Sequence, residues 1–149
     1  MHSTTELKTL NLKMDHLNCV VCDDELTNAR AIANLITNIA TRDKKSANVV
    51  ICLNGFECLN RIYEDYKKGI RCDLLFIDEN MPGIKGSVAI KILKDLMNSK
   101  ELNLFKMYSI SCFENEEIKI SLLKIGCDGF LPKPVNKKTL EELFNIIHF

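Results

Sequence analysis

The chain lacks an apolar run long enough to span a membrane. Its N-terminus also lacks the apolar core of a signal peptide. It has no excess of either charge, because acidic and basic residues balance at 20 each. That balance excludes a broad nucleic-acid or membrane footprint and leaves room only for a local patch. No G-x-G-x-x-G turn and no P-loop follows any apolar segment, which argues against a nucleotide-binding domain. His2, His16 and His148 show no metal-ligand spacing and read as surface residues. Internal repeats and low-complexity stretches are missing as well. What remains is the expectation of a soluble, cytoplasmic protein that makes no membrane contact and binds no nucleic acid directly. Its 149 residues suffice for one domain with a proper core.

Seven cysteines are present. Cys19-Val20-Val21-Cys22 has the C-x-x-C spacing but lies in an apolar, strand-like run, where residues three apart point to opposite faces. The pair therefore cannot share a metal. Cys52, Cys58, Cys72, Cys112 and Cys127 sit singly among apolar neighbours, and the odd count fits buried, reduced thiols in a reducing compartment.

Apolar runs of strand length alternate with segments of helical periodicity. Residues 1–16 read as a leader or linker and residues 17–149 as the folded domain. Within that domain Leu17–Cys22 predicts a first strand, and Leu26–Ala40 a helix carrying Ile32, Leu35, Ile36 and Ile39. A polar loop over Thr41–Asn48 leads to a second strand at Val49–Leu53. Phe56, Leu59, Ile62, Tyr63 and Tyr66 mark a second helix, stopped at Lys67-Lys68-Gly69. Later strands are predicted at Leu74–Ile77, Phe105–Ile110 and Gly129–Leu131, with helices over Val88–Met97, Ile118–Ile125 and Leu140–Ile147. Five strands alternating with five helices imply a parallel sheet covered on both faces.

The stretch Leu74-Leu75-Phe76-Ile77-Asp78-Glu79-Asn80-Met81-Pro82-Gly83 organises the rest. Its apolar run reads as a strand buried on both faces, it ends at a carboxylate, and Pro82-Gly83 forces a turn. Open α/β sheets bind ligands beyond the carboxyl ends of their strands. Asp23 and Asp24 follow the first strand, Ser111 the fourth, and Lys133 the fifth. All these ends share one edge. Three carboxylates in one pocket repel one another unless a cation joins them, and hard oxygen donors suit Mg²⁺. A lysine and a hydroxyl beside them would receive an added anion, an inventory suited to phosphoryl transfer onto Asp78.

Over Leu17 to Ile147 the sequence resembles the receiver domain of response regulators in two-component and phosphorelay signalling. The likeness rests on Asp23-Asp24, on Asp78 to Gly83 with Gly86, on Ser111, and on Leu131-Pro132-Lys133-Pro134. Asn54-Gly55 and Gly126-Cys127-Asp128-Gly129-Phe130 add to it. The resemblance implies a flavodoxin-like, doubly wound five-stranded parallel sheet of order 2-1-3-4-5 with five helices. It implies that Asp78 accepts the phosphoryl group, that Asp23, Asp24, Asp78 and the Asn80 carbonyl hold Mg²⁺, and that Lys133 and Ser111 receive the phosphoryl oxygens. It further implies a switch through Ser111 and Phe130, a cis bond before Pro134, and a partner that is a histidine kinase or a histidine-containing phosphotransfer protein.

Several positions depart from the family pattern. Serine stands at 111 where threonine is commoner. Cys112 occupies a place normally held by a small residue that leaves room for the phosphodonor. The segments around the second strand and helix and the Leu96–Leu104 connection are longer than in compact receivers. The implied role is a switch of the surface formed by the fourth helix, fifth strand and fifth helix, or onward relay of phosphate, as in the receiver of a hybrid histidine kinase. Beyond its own phosphotransfer and dephosphorylation no substrate turnover is expected. The alternative is a phosphorylation-independent scaffold of the same fold. A phosphohydrolase with an aspartyl nucleophile would want an acid where Asn80 stands.

Overall fold

A computed structural model of the protein describes residues 15–112 and 115–149. Most of the segment read as a leader, residues 1–14, lies outside the described residues. Five strands alternate with five helices: β1 His16–Cys22, α1 Leu26–Arg42, β2 Ser46–Cys52, α2 Gly55–Lys67, β3 Leu74–Asp78, α3 Gly86–Asn98, β4 Lys106–Ser111, α4 Glu116–Lys124, β5 Gly129–Pro132 and α5 Lys137–Ile146. All strand pairs are parallel, and the order is β2-β1-β3-β4-β5.

Period-two alternation sorts the strand residues onto two faces. Leu17, Cys19 and Val21 of β1 and Leu74 and Phe76 of β3 pack with α1 and α5, against Ile32, Ile36, Leu140 and Phe144 among others. Val20 and Cys22 of β1 and Leu75 and Ile77 of β3 pack on the other side with α2, α3 and α4, against Ile62, Ile90, Leu93 and Leu122. Cys19 and Cys22 thus face opposite layers. Every residue of β3 is buried, as its unbroken apolar run requires of a central parallel strand. Full burial of each such side chain contributes roughly 1.5–3 kcal/mol.

Local chemistry sets the element ends. The Asn54 side chain caps α2 by accepting the Glu57 N–H at 2.9 Å, while the Glu57 carboxylate accepts the Leu53 N–H at 3.2 Å, a reciprocal capping arrangement. At the other end of α2, Gly69 takes φ +81° and the Ile70 N–H reaches back to the Asp65 carbonyl at 2.9 Å, the Schellman closure that favours glycine.

Three expectations need correction. The second strand begins at Ser46, inside the predicted polar loop, because β2 is an edge strand. One side is unpaired, so polar residues there stay solvated while the backbone still pairs with β1. Ser111 is the last residue of β4, not the residue after it. Cys112 is exposed, whereas the other six cysteines are buried, since it lies just past the strand where the chain leaves the core.

Candidate functional site

The carboxyl ends of β1, β3, β4 and β5 bring Asp23, Asp78, Ser111 and Lys133 to one edge of the sheet. Asp78 closes β3 and is 4% exposed, and Asp23, directly after β1, is 0% exposed. The Lys133 ammonium reaches over both, with Nζ 3.2 Å from Asp78 Oδ2 and 3.4 Å from Asp23 Oδ2. Asp24 is exposed at the rim. Carboxylate oxygens of Asp23, Asp24 and Asp78 lie within 4.8 Å of one another.

Each acid is held by its own local structure. Asp23 receives the Glu25 N–H on Oδ1 at 2.9 Å, an Asx turn that leads the chain into α1. Its backbone N–H donates to the Cys52 carbonyl of β2 at 3.1 Å. Asp23 Oδ2 accepts no hydrogen bond among the described residues, and Lys133 is its counterion. Asp78 accepts the backbone N–H of Asn80. Gly86 makes this turn feasible: a Cβ there would stand 2.4 Å from the Asp78 carbonyl oxygen. Ser111 is buried, one register step beyond the residue that pairs with Asp78. Its carbonyl accepts the Lys133 N–H at 3.1 Å, tying the hydroxyl-bearing residue to the lysine-bearing one. The Lys133–Pro134 peptide is cis.

The electrostatics follow from burial. Burial pushes the Asp78 carboxyl above its ordinary value, and the Lys133 ammonium and Asn80 N–H only partly offset it, while the Asp23 charge adds to the rise. For Lys133, partial burial works against the charge, yet the hydrogen bond to Asp78 and the charges of Asp78 and Asp23 hold it above the usual lysine value. One ammonium thus pairs with two of the three clustered acids. The surplus negative charge and the buried Asp23 Oδ2, which has the Lys133 ammonium 3.4 Å away but accepts no hydrogen bond among the described residues, make a donor set of hard oxygens that fits a divalent cation such as Mg²⁺. Asn80 is exposed in the turn directly after this edge.

Phe130 is half-buried and packs against the layer containing Met107, Ile90 and Leu122. In register it pairs with Ser109 of β4, whose buried hydroxyl has no hydrogen-bond partner among the described residues. Two further features were not read from the sequence. A cleft of ≈ 260 Å³ opens beside the acids, lined by Asp23 and Lys133 and by Ala31, Ile32, Ile110, Cys112 and Val135. Cys112 therefore forms part of the approach to the pocket. Glu79 is the second: its carboxylate accepts both the N–H and the hydroxyl of Ser87, each at 2.7 Å. That contact bridges eight positions and carries no periodic or motif signal.

A buried acid at the middle of the carboxyl edge, flanked by paired acids and a lysine on a 2-1-3-4-5 sheet, marks a flavodoxin-like fold with an acidic site at its carboxyl edge. The family model for the response regulator receiver domain matches residues 19–145, and the chain belongs to that family. It is 27% identical over 127 residues to chemotaxis protein CheY-3 of Vibrio cholerae, covering 85% of this chain and 88% of that protein. It is 25% identical over 126 residues to hybrid signal transduction histidine kinase I of Dictyostelium discoideum, covering 85% of this chain and 7% of that kinase. Among solved structures it is similar to a chain of the Saccharomyces cerevisiae co-crystal of the histidine phosphotransfer protein Ypd1 with the receiver domain of Ssk1. That likeness has a TM-score of 0.69 at 22% identity and covers 90% of each chain.

Proposed function

We propose that this chain is a phosphoacceptor: it takes a phosphoryl group from a phosphohistidine on a partner protein onto Asp78. The observation that carries this reading is the placement of a buried Asp78 carboxylate 3.2 Å from Lys133 Nζ, with oxygens of Asp23 and Asp24 within 4.8 Å. Asp23, Asp24, Asp78 and the Asn80 carbonyl would hold Mg²⁺, which supplies charge neutralisation at the phosphoryl oxygens. An Asp78 oxygen attacks phosphorus in line and the partner's imidazole leaves, so the P–N bond breaks as an acyl phosphate forms. The Lys133 ammonium binds one phosphoryl oxygen and the Ser111 hydroxyl donates to another.

Formation of the dianion draws Ser111 toward Asp78. The space it leaves lies beside Ser109 and Phe130, and Phe130 turns further inward. This biases the α4-β5-α5 surface between two states. Hydrolysis, or transfer onward to another histidine, resets it. The partner class is a histidine kinase or a histidine-containing phosphotransfer protein, a reading supported by the likeness to a receiver crystallised with Ypd1. No helix among the described residues is long and apolar enough to cross a membrane.

The test is intact mass after incubation with a small phosphodonor and Mg²⁺, with Asp78→Asn alongside. A magnesium-dependent phosphoryl adduct that disappears in the variant supports the reading. Folded protein that binds Mg²⁺ yet gains no adduct, from the small donor or from a phosphorylated histidine phosphotransfer protein, points instead to a scaffold.

A further inference from the structure

One buried hydroxyl has no part in the phosphoryl chemistry. Ser109 stands in the middle of β4 and is fully buried, and its Oγ has no hydrogen-bond partner among the described residues. Period-two alternation puts its side chain on the same face as Met107 and Ser111. In the parallel register it lies between Ile77 of β3 and Phe130 of β5. Ile77, Met107 and Phe130 all belong to the apolar layer under α3 and α4, with Ile90, Leu93 and Leu122. Ser109 is thus the polar exception in an apolar row.

Packing does not call for a serine there. Its methylene fills the place that an alanine methyl would fill, and burying the oxygen without a partner costs free energy in the resting fold. The place of that oxygen gives it a second effect. Side chains two residues apart on a strand are about 7 Å apart on one face, so Ser109 is the next group below Ser111. When Ser111 moves toward a dianion on Asp78, the space it leaves has the Ser109 hydroxyl as its floor. Two occupants compete for that space. A water can hydrogen-bond to Ser109 below and to Ser111 above, whereas the Phe130 ring would seal the Ser109 oxygen among carbon atoms.

We propose that Ser109 is a positioning residue of the switch: its hydroxyl holds a water in the space that Ser111 vacates and so opposes the inward turn of Phe130. The inference rests on the phosphoacceptor reading and concerns the step that follows it. Ser109 sets how completely a charge at Asp78 is converted into the inward Phe130 state. A hydrogen bond of ordinary net strength changes that ratio about fivefold.

The experiment uses the full chain labelled with fluorinated phenylalanine and compares the parent with Ser109→Ala and with Ser109→Cys, which keeps the size of the side chain. Intact mass after incubation with a small phosphodonor and Mg²⁺ first tests each protein for the phosphoryl adduct. Fluorine NMR then gives the inward-to-outward ratio of Phe130, whose signal is assigned by its loss in Phe130→Leu. The ratio is read without ligand and with Mg²⁺ and beryllofluoride, a stable mimic of an acyl phosphate. Both variants should form the adduct as the parent does, and both should raise the inward ratio of the loaded state about fivefold. A hydroxyl with a merely structural part would raise the melting temperature on removal and leave the ratio where it was. That result overturns the proposal, while the adduct upholds the phosphoacceptor reading. A lowered ratio, the mark of a hydroxyl that donates to the ring face, overturns it too. Folded parent that gains no adduct, from the small donor or from a phosphorylated histidine phosphotransfer protein, overturns both readings together.

Discussion

The carboxylate of Glu79 grips Ser87 through two hydrogen bonds of 2.7 Å, one from its N–H and one from its hydroxyl. Helix α3 begins at Gly86 behind Lys85, which offers no side-chain cap. Glu79 supplies the missing cap from across the turn, its charge set against the positive end of the helix. The Glu79 carbonyl also accepts the Gly86 N–H at 3.1 Å. The residue between Asp78 and Asn80 is thereby fastened at both its backbone and its side chain.

Glu79→Ala should therefore lower stability by about 1–2 kcal/mol and weaken Mg²⁺ binding as the Asn80 carbonyl loosens. Glu79→Gln, which keeps an acceptor, should recover most of the stability. Urea unfolding and a Mg²⁺ titration check the two effects separately. Unchanged Mg²⁺ affinity in Glu79→Ala would confine the residue to capping.

Asp78 costs the metal-free fold some stability. Its folded pKa lies above the ordinary value of 3.8, so the folded state keeps the proton where the unfolded chain has released it. That contribution falls as pH rises from the ordinary value through the raised one. Lys133 works in the opposite direction: its raised pKa gives stability that is whole below 10.5 and is lost as pH climbs through the folded value. Asp78→Asn should raise stability at neutral pH by roughly 1–2 kcal/mol and remove part of the decline above the ordinary carboxyl range. Thermal melts between acidic and neutral pH measure it.

Magnesium should stabilise the chain through linkage. At tenfold excess over its dissociation constant the gain is about 1.4 kcal/mol. Asp23→Asn should lose that gain, because the substitution removes a buried carboxylate of the donor cluster. Calcium, larger and more flexibly coordinated, should substitute poorly. Melting temperatures with and without each ion decide it.

Two glycines should respond differently to alanine. At Gly86 the new Cβ would stand 2.4 Å from the Asp78 carbonyl oxygen and 3.0 Å from its carbon, backbone atoms that cannot step aside. Gly86→Ala should cost more than about 2 kcal/mol and displace the acid. At Gly69 no atom lies within 4 Å but φ is +81°, so Gly69→Ala should cost about 1 kcal/mol and leave the site intact. Paired stability and phosphorylation assays distinguish the two.

The strand centres and the convergence of Asp23, Asp78, Ser111 and Lys133 were legible because they rest on short-range patterns. A buried run such as Leu74–Ile77 is decided by its own residues, and parallel topology then brings every strand end to one edge. What escaped depends on tertiary context. β2 extends to Ser46 because an edge strand can leave its polar residues in water. Cys112 is exposed because it stands one residue beyond the last ladder pairing. The Glu79–Ser87 clasp and the cleft beside Lys133 arise where segments distant in sequence are folded together, which no local pattern announces.

The strands carrying the pocket differ in how firmly they are set. β3 is central and buried throughout, so Asp78 hangs from the part of the sheet slowest to open. β5, which leads into Lys133, is a four-residue rim strand with only Leu131 fully buried. On the proposed reading, a charge added at Asp78 would pull against the buried centre of the sheet, and the displacement would appear at the β5 rim. The difference in burial between the two strands would then set the direction of signal travel.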